Sequence, residues 1–213
     1  MASRIVFFGP QGSGKGTQAE FASHALRVPV IATGPIFRKS IAEKSELGVL
    51  AASYIQHGRL VPDSLTIEMI RKRLQEQDVN NGFVLDGFPR TSAQFNALWE
   101  ITTMDAVVVL ELSDEEAVSR MGGRRLCANN HQYHLTYKPP TQEGICDVDH
   151  LPLTIREDDV ETSIRERLEI YHRETEPLIE QFRVRGTRVI VIDAKPPIVE
   201  VRKSVATALG ISL

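Results

Sequence analysis

The sequence predicts an α/β fold: a five-stranded parallel sheet covered by helices on both faces. Three observations carry this. Five short apolar runs are unbroken, not alternating, as strands buried on both faces are. Longer segments of helical spacing lie between them. The 213 residues are 42% hydrophobic and 25% charged, enough apolar material for one substantial core and too much for disorder.

The apolar runs are residues 5–8, 28–32, 83–85, 106–112 and 188–192. The first ends at Gly9. Helical spacing covers residues 17–26 and then 64–77, where Leu65, Met69 and Ile70 share a side. It recurs over 92–99 and over 159–182, with Val160, Ile164, Leu168 and Tyr171 in phase. Residues 122–158 break the rhythm. Gly122-Gly123, Asn129-Asn130, Pro139-Pro140 and Gly144 are turn-formers, and a structureless loop of that length is improbable in a compact domain. A small inserted subdomain is expected there. Residues 33–61 form a second candidate insertion, leaving 1–32, 62–121 and 160–213 as the core.

Charge and cysteine content narrow the function classes. Twenty-five Lys and Arg against 28 Asp and Glu give a net charge of −3, so no basic excess points to nucleic acid or an anionic membrane. Four apolar residues before Gly9 are too few for a secretory signal core. A cytoplasmic monomer is expected. Cys127 and Cys146 are too few for a disulfide scaffold, and a disulfide between them is disfavoured in a reducing compartment.

Gly9-Pro-Gln-Gly-Ser-Gly-Lys15 follows the first strand and opens a helix. This is the strand–loop–helix context of a phosphate-binding loop. Glycines let backbone N–H groups converge on an anion, the helix N-terminus adds partial positive charge, and Lys15 adds a full one. Gly16 stands where the general motif has Ser or Thr, and Thr17 follows.

Three more segments join it. Thr33-Gly-Pro-Ile-Phe-Arg38 follows the second strand, and Leu85-Asp-Gly-Phe-Pro-Arg90 ends the third. Gly123-Arg-Arg125 opens the irregular segment, which Arg156-Glu-Asp-Asp159 closes, with Arg165 and Arg167 beyond. With Gly12 to Gln18, this ordered set resembles the nucleoside monophosphate kinases, most closely the long-lid adenylate kinases, from about Arg4 to Arg202. The resemblance implies a P-loop three-layer core, a helical AMP-binding insertion (33–61) and a lid (122–159). It implies transfer of a phosphoryl group between magnesium-bound ATP and AMP, giving two ADP, with these nucleotides as the partners.

The same resemblance distributes roles. Gly12, Ser13, Gly14, Lys15, Gly16, Thr17, Arg120, Arg124, Tyr133 and Pro196 fall at ATP positions. Thr33, Arg38, Arg59, Val61, Gly87, Arg90, Gln94, Arg156 and Arg167 fall at AMP positions. Lys15, Arg38, Arg90, Arg120, Arg124, Arg156 and Arg167 form the phosphate-neutralising set, and phosphoryl transfer needs such positioned charge more than covalent chemistry. Asp86, at the carboxyl end of a strand, is the expected water-mediated magnesium holder. Asp158 and Asp159 match a lid pair, with helix N-capping before Val160 as the plain alternative. Gln94 carries both a donor and an acceptor for an adenine edge. Pro35 departs from the family's acidic residue in Thr-Gly-Asp-x-x-Arg. A different base preference, or a nucleotide sensor without catalysis, are the competing readings. Retention of Lys15, Asp86 and the arginine set argues against the sensor.

Lids of this kind often carry a four-residue cluster. Cys127 and Cys146 match its first and third positions and Asp149 its fourth. His131 is the expected second ligand, with Asn130, His134 and His150 as alternatives. Such a set has the number and types of ligands for structural Zn²⁺, with Co²⁺ or Fe²⁺ as other occupants. Without a metal, the cluster would be two reduced thiols in a hydrogen-bonded group.

Overall fold

The computed structural model describes residues 3–55, 59–129, 131–155 and 159–212. Arg156 and Asp158, and Asn130 among the ligand alternatives, lie outside the described residues.

Five strands, β1 (Ser3–Phe8), β2 (Val30–Ala32), β3 (Gly82–Asp86), β4 (Ala106–Glu111) and β7 (Arg188–Asp193), form one parallel sheet in the order β2-β3-β1-β4-β7. Successive residues of each strand supply opposite faces. Val6, Phe8, Leu85, Val107 and Val109 face a layer that includes Phe95, Leu98, Leu178 and Phe182. Ile5, Phe7, Val84, Val108 and Leu110 face Ala19, Ala22, Val201 and Val205. This double burial explains why β1, β3 and β4 read as unbroken apolar runs.

The first layer contains α4 (Asp63–Arg73), α5 (Ser92–Ile101) and α8 (Pro177–Val184), and the second contains α1 (Lys15–Leu26) and α9 (Ile198–Leu209). Helix α4 stops at Arg73, four residues before the expected end. The expected long segment over 159–182 is two helices, α7 (Glu161–Ile170) and α8, joined by one π-helical turn at Tyr171–Thr175. Val160 is the N-cap residue of α7 and is exposed, so it does not belong to the apolar stripe.

The segment 33–61 is helical in its described part, with α2 (Thr33–Ala42) and α3 (Glu46–Ile55). The two pack so closely that a Cβ on Gly48 would lie 2.0 Å from the Ser40 carbonyl oxygen. The segment 122–159 holds a short antiparallel pair, β5 (Arg124–Leu126) and β6 (Gln132–His134), and single bridges at Leu126–Thr154 and Ile145–Pro152. Its own core is small: Cys127, Tyr133 and Cys146, with Leu151 and Leu153 against them. Helix α6 (Asp114–Gly122) leads into this segment and α7 leads out. Among the described residues, no helix is long and apolar enough to cross a membrane.

Candidate functional site

Parallel strands bring their carboxyl ends to one edge of the sheet, where ligands of α/β folds bind. Here β1 delivers Gly9 and the loop that follows, β2 delivers Thr33, and β3 delivers Asp86. Asp86 pairs in register with Phe7 on one side and Ala32 on the other, so it lies between the phosphate loop and α2. A cleft of about 1010 Å³ opens above this edge. That volume lies at the upper end for single small-molecule sites.

The loop from Gly9 to Gly14 turns through left-handed backbone at Gly9, Gly12 and Gly14, a conformation that glycine adopts without steric penalty. Gly14 is the N-cap of α1 and provides no side-chain cap. The first N–H groups of α1 therefore remain available to an anion. The Lys15 ammonium donates to the carbonyls of Gly9 at 2.6 Å and Pro10 at 2.8 Å. Removal from bulk water pushes its pKa down to about 8, and Arg90, Arg124 and Arg167 push the same way against the pull of Asp86. Burial also lowers the pKa of Arg90, with Arg167 adding to the effect and Asp86 opposing it. Four cations thus share one field with the Asp86 carboxylate, which is an environment for polyanions.

Nearly all the nucleotide residues expected from the sequence line this one cleft. Gly12 to Thr17, Arg120, Arg124, Tyr133 and Pro196 do so, as do Thr33, Arg38, Arg59, Val61, Gly87, Arg90, Gln94 and Arg167. Asp159 is fully buried behind them, where it accepts from Arg124 and from Arg167. The N-capping alternative for Asp159 does not hold, because Val160 occupies the N-cap and Asp159 faces the arginines.

Several side chains are held by local partners. Thr33 Oγ1 donates to the Gly87 carbonyl at 2.9 Å, and Arg90 Nε donates to the same oxygen at 2.8 Å. Arg120 donates to Glu116 and to the carbonyls of Ala194 and Lys195, and its guanidinium lies 5.2 Å from the Tyr137 ring centre. Arg59 pairs loosely with Glu166 at 3.6 Å. The Tyr133 hydroxyl accepts from the Asp147 N–H at 2.7 Å, and its side chain is buried in the small core of the 122–159 segment.

The Cys127, His131, Cys146 and Asp149 ligand atoms all lie within 4.8 Å of one another. His131 Nδ1 is 3.3 Å from Cys127 Sγ, 3.4 Å from Cys146 Sγ and 3.0 Å from Asp149 Oδ2. The edges of a tetrahedron with zinc-type bond lengths run about 3.3–3.8 Å, so this donor set fits a four-coordinate metal with little movement. Both thiols are free. His134 is spoken for elsewhere. Its Nδ1 accepts from the N–H groups of Thr136 and Tyr137, so Nε2 carries the proton and donates to the Arg120 carbonyl. Burial lowers its pKa, consistent with a neutral ring.

Sequence reasoning missed two residues that this geometry brings in. Glu116 holds Arg120, and its signal was the Ser113-x-x-Glu116 pattern of a helix start. Asp63 accepts from both Thr91 and Gln94, across 28 and 31 residues, and no local pattern marks it.

The family model for adenylate kinase matches residues 7–187. Among curated relatives, an adenylate kinase of Streptomyces avermitilis is 47% identical over 97% of this chain and 96% of its own length. That of Streptomyces coelicolor is 46% identical over 97% and 98%. That of Caldicellulosiruptor bescii is 42% identical over 98% and 99%. Strand order, phosphate loop, arginine-lined cleft and full-length similarity agree, and the chain belongs to the adenylate kinase family.

Proposed function

We propose that this chain is an ATP:AMP phosphotransferase that interconverts ATP plus AMP and two ADP, and that it keeps adenine nucleotides in balance in the cytoplasm as a monomer. The observation that carries the reading is the convergence of Lys15, Arg90, Arg124 and Arg167 on one field beside Asp86. Two nucleotides bring several negative charges to the transfer point, and planar guanidinium groups meet phosphate oxygens two at a time.

In this reading the loop from Gly12 to Thr17 cradles the ATP phosphates, and Lys15 exchanges its loop carbonyls for phosphate oxygens. Arg38 and Arg90 hold the AMP phosphate, while Thr33, Arg59, Val61, Gly87 and Gln94 form the remainder of the AMP site. Arg120 and Arg124 meet the ATP phosphates, while Arg156 and Arg167 grip the transferring group and reach the AMP side. Asp158 and Asp159 form the lid's acidic pair, and Asp159 positions Arg124 and Arg167. Asp86 is an oxygen donor at the cleft floor, as magnesium requires, and would hold the ion through water. Magnesium bound with ATP supplies charge neutralisation between the phosphates. With Pro35 in place of an acidic residue, the magnesium side relies on Asp86.

The segments 33–61 and 122–159 act as the closing parts, and 1–32, 62–121 and 160–213 as the fixed core. Closure excludes water, which would otherwise accept the phosphoryl group. The lid carries a structural metal on Cys127, His131, Cys146 and Asp149, with Zn²⁺ as the leading ion and Co²⁺ or Fe²⁺ as alternatives. Two thiolates, an imidazole and a carboxylate match it, and a lid with so small an apolar core gains order from it.

ADP formation from ATP and AMP tests the catalytic reading. Lys15→Met is expected to lower turnover by orders of magnitude, comparable to the ~10³–10⁵ effects of phosphate-neutralising cations elsewhere. Near-normal turnover in Lys15→Met would refute the assignment.

A further inference from the structure

Gln94 is buried, yet it lines the cleft. Its side-chain amide is held at both ends. Oε1 accepts from the Arg90 backbone N–H at 2.8 Å, and Nε2 donates to Asp63 Oδ1 at 2.7 Å. The other carboxylate oxygen, Asp63 Oδ2, accepts from Thr91 Oγ1 at 2.8 Å. Thr91 is the N-cap of α5, and its hydroxyl oxygen accepts from the Gln94 backbone N–H at 3.2 Å. Asp63 is the first residue of α4, where the helix N-terminus favours a carboxylate.

The chemistry of these partners fixes which end of the amide is which. A carboxylate only accepts, and a backbone N–H only donates. Rotating the Gln94 amide by half a turn would set its N–H₂ against the Arg90 N–H and its oxygen against the Asp63 carboxylate. Both contacts would turn from attractive to repulsive. Each end keeps one unused valence: a second N–H on Nε2 and a second lone pair on Oε1.

We infer that Asp63 is a specificity-determining positioning residue. It locks the donor–acceptor order of Gln94 and so selects a 6-amino over a 6-oxo purine monophosphate. Adenine offers an N6 donor beside an acceptor ring nitrogen, which complements Oε1 and Nε2 in one order. Guanine offers an O6 acceptor beside an N1–H donor, which needs the opposite order. A freely rotating amide would serve both bases, and a locked one serves one. The inference rests on the reading of Gln94 as a base contact, so its test separates the two.

The experiment measures kcat and KM for AMP and for GMP, at saturating ATP, in the wild type, Asp63→Ala, Asp63→Asn, Gln94→Ala and the Asp63→Ala/Gln94→Ala double variant. Asp63→Ala is expected to raise KM for AMP by ~10-fold or more, the effect of losing a charge-assisted hydrogen bond. It should narrow the preference for AMP over GMP and leave KM for ATP within about twofold. Asp63→Asn retains shape and an acceptor and is expected to recover most of the loss. The double variant should be no worse than Gln94→Ala, because Asp63 acts through Gln94.

Additive losses in the double variant, or a parallel rise in KM for ATP, would overturn the proposal. If Gln94→Ala raises KM for AMP and Asp63→Ala does not, the proposal fails while the base contact stands. If Gln94→Ala changes nothing, the base contact fails and the proposal with it. The wild-type protein gives a readout independent of variant folding. One Gln94 side-chain amide proton should be shifted downfield in NMR spectra and slow to exchange, and an ordinary, rapidly exchanging pair would overturn the proposal.

Discussion

The carboxylate of Asp159 gathers Arg124 and Arg167 from two different elements. Arg124, on β5, donates through Nε at 2.7 Å and Nη2 at 2.5 Å, and Arg167, on α7, donates through Nη2 at 3.2 Å. The Asp159 side chain is wholly inaccessible to solvent, and the two arginine side chains are 13% and 16% exposed. Removing the anion strands two largely desolvated cations, at a cost of about 3–5 kcal/mol for one broken buried pair. Asp159→Ala is therefore expected to lower Tm by about 10 °C in a chain of this length. Saturating ADP should shrink that deficit, because phosphate oxygens take the place of the carboxylate. Differential scanning calorimetry with and without ADP checks this, and an undiminished deficit in ADP would contradict it.

The depressed pKa of Lys15 has a consequence for nucleotide binding. As pH rises through about 8, the free chain loses the ammonium charge. Phosphate oxygens favour the charged form and raise the pKa in the complex. Binding above pH 8 must then take up a proton, and affinity must fall as pH climbs. The uptake attributable to Lys15 grows as pH rises past about 8. Titration calorimetry of ATP in two buffers of different protonation enthalpy measures it. The Lys15→Arg variant, which keeps its charge, should lack this uptake.

Gly87 has φ +77°, and a Cβ there would lie 2.7 Å from Arg90 Nη2 and 2.8 Å from Thr33 Oγ1. Gly87→Ala thus strains the backbone and displaces together Arg90 and Thr33, the two groups proposed to meet AMP. A misplacement near 1 Å in a positioned site costs up to about 10²-fold. Steady-state kinetics should show KM for AMP raised by ~10-fold or more, with KM for ATP little changed.

The segment 122–159 packs its small core around Cys127, Tyr133 and Cys146, two of them members of the four-residue cluster. Desolvation first, with the neighbouring carboxylate, holds the Cys127 thiol above its usual pKa, while hydrogen bonds, that from Cys146 foremost, hold Asp149 well below the usual carboxylate range. A divalent ion replaces those bonds with coordination and takes both thiols as thiolates. Elemental analysis is expected to find about one metal per chain in protein purified without chelators. Chelation, or Cys146→Ser, should lower Tm. Metal-free protein with unchanged Tm would contradict the lid metal.

How much of this was legible in the sequence follows from where the signals sit. Strands β1, β3 and β4 were readable because burial on both faces makes them continuously apolar. The Gly9–Lys15 loop was readable because its chemistry is contiguous. Helix α6 was missed because it is short and only Ala117 and Met121 along it are buried. Helix α9 was missed although Val201 and Val205 recur at helical spacing and Gly210 follows it in a left-handed conformation. The break between α7 and α8 was hidden because the apolar phase continues through the π-helical turn. Asp63 was invisible for another reason: its partners Thr91 and Gln94 belong to a different helix, and only the packed layer unites them.

The central claim is that this cleft transfers a phosphoryl group from ATP to AMP in preference to other monophosphates. The most direct measurement is ADP formation from ATP with each of AMP, CMP, UMP and GMP, in magnesium, by the full chain. The account predicts rapid ADP formation with AMP and far slower formation with the other three. Equal or faster turnover with another monophosphate, or none with AMP, would contradict it.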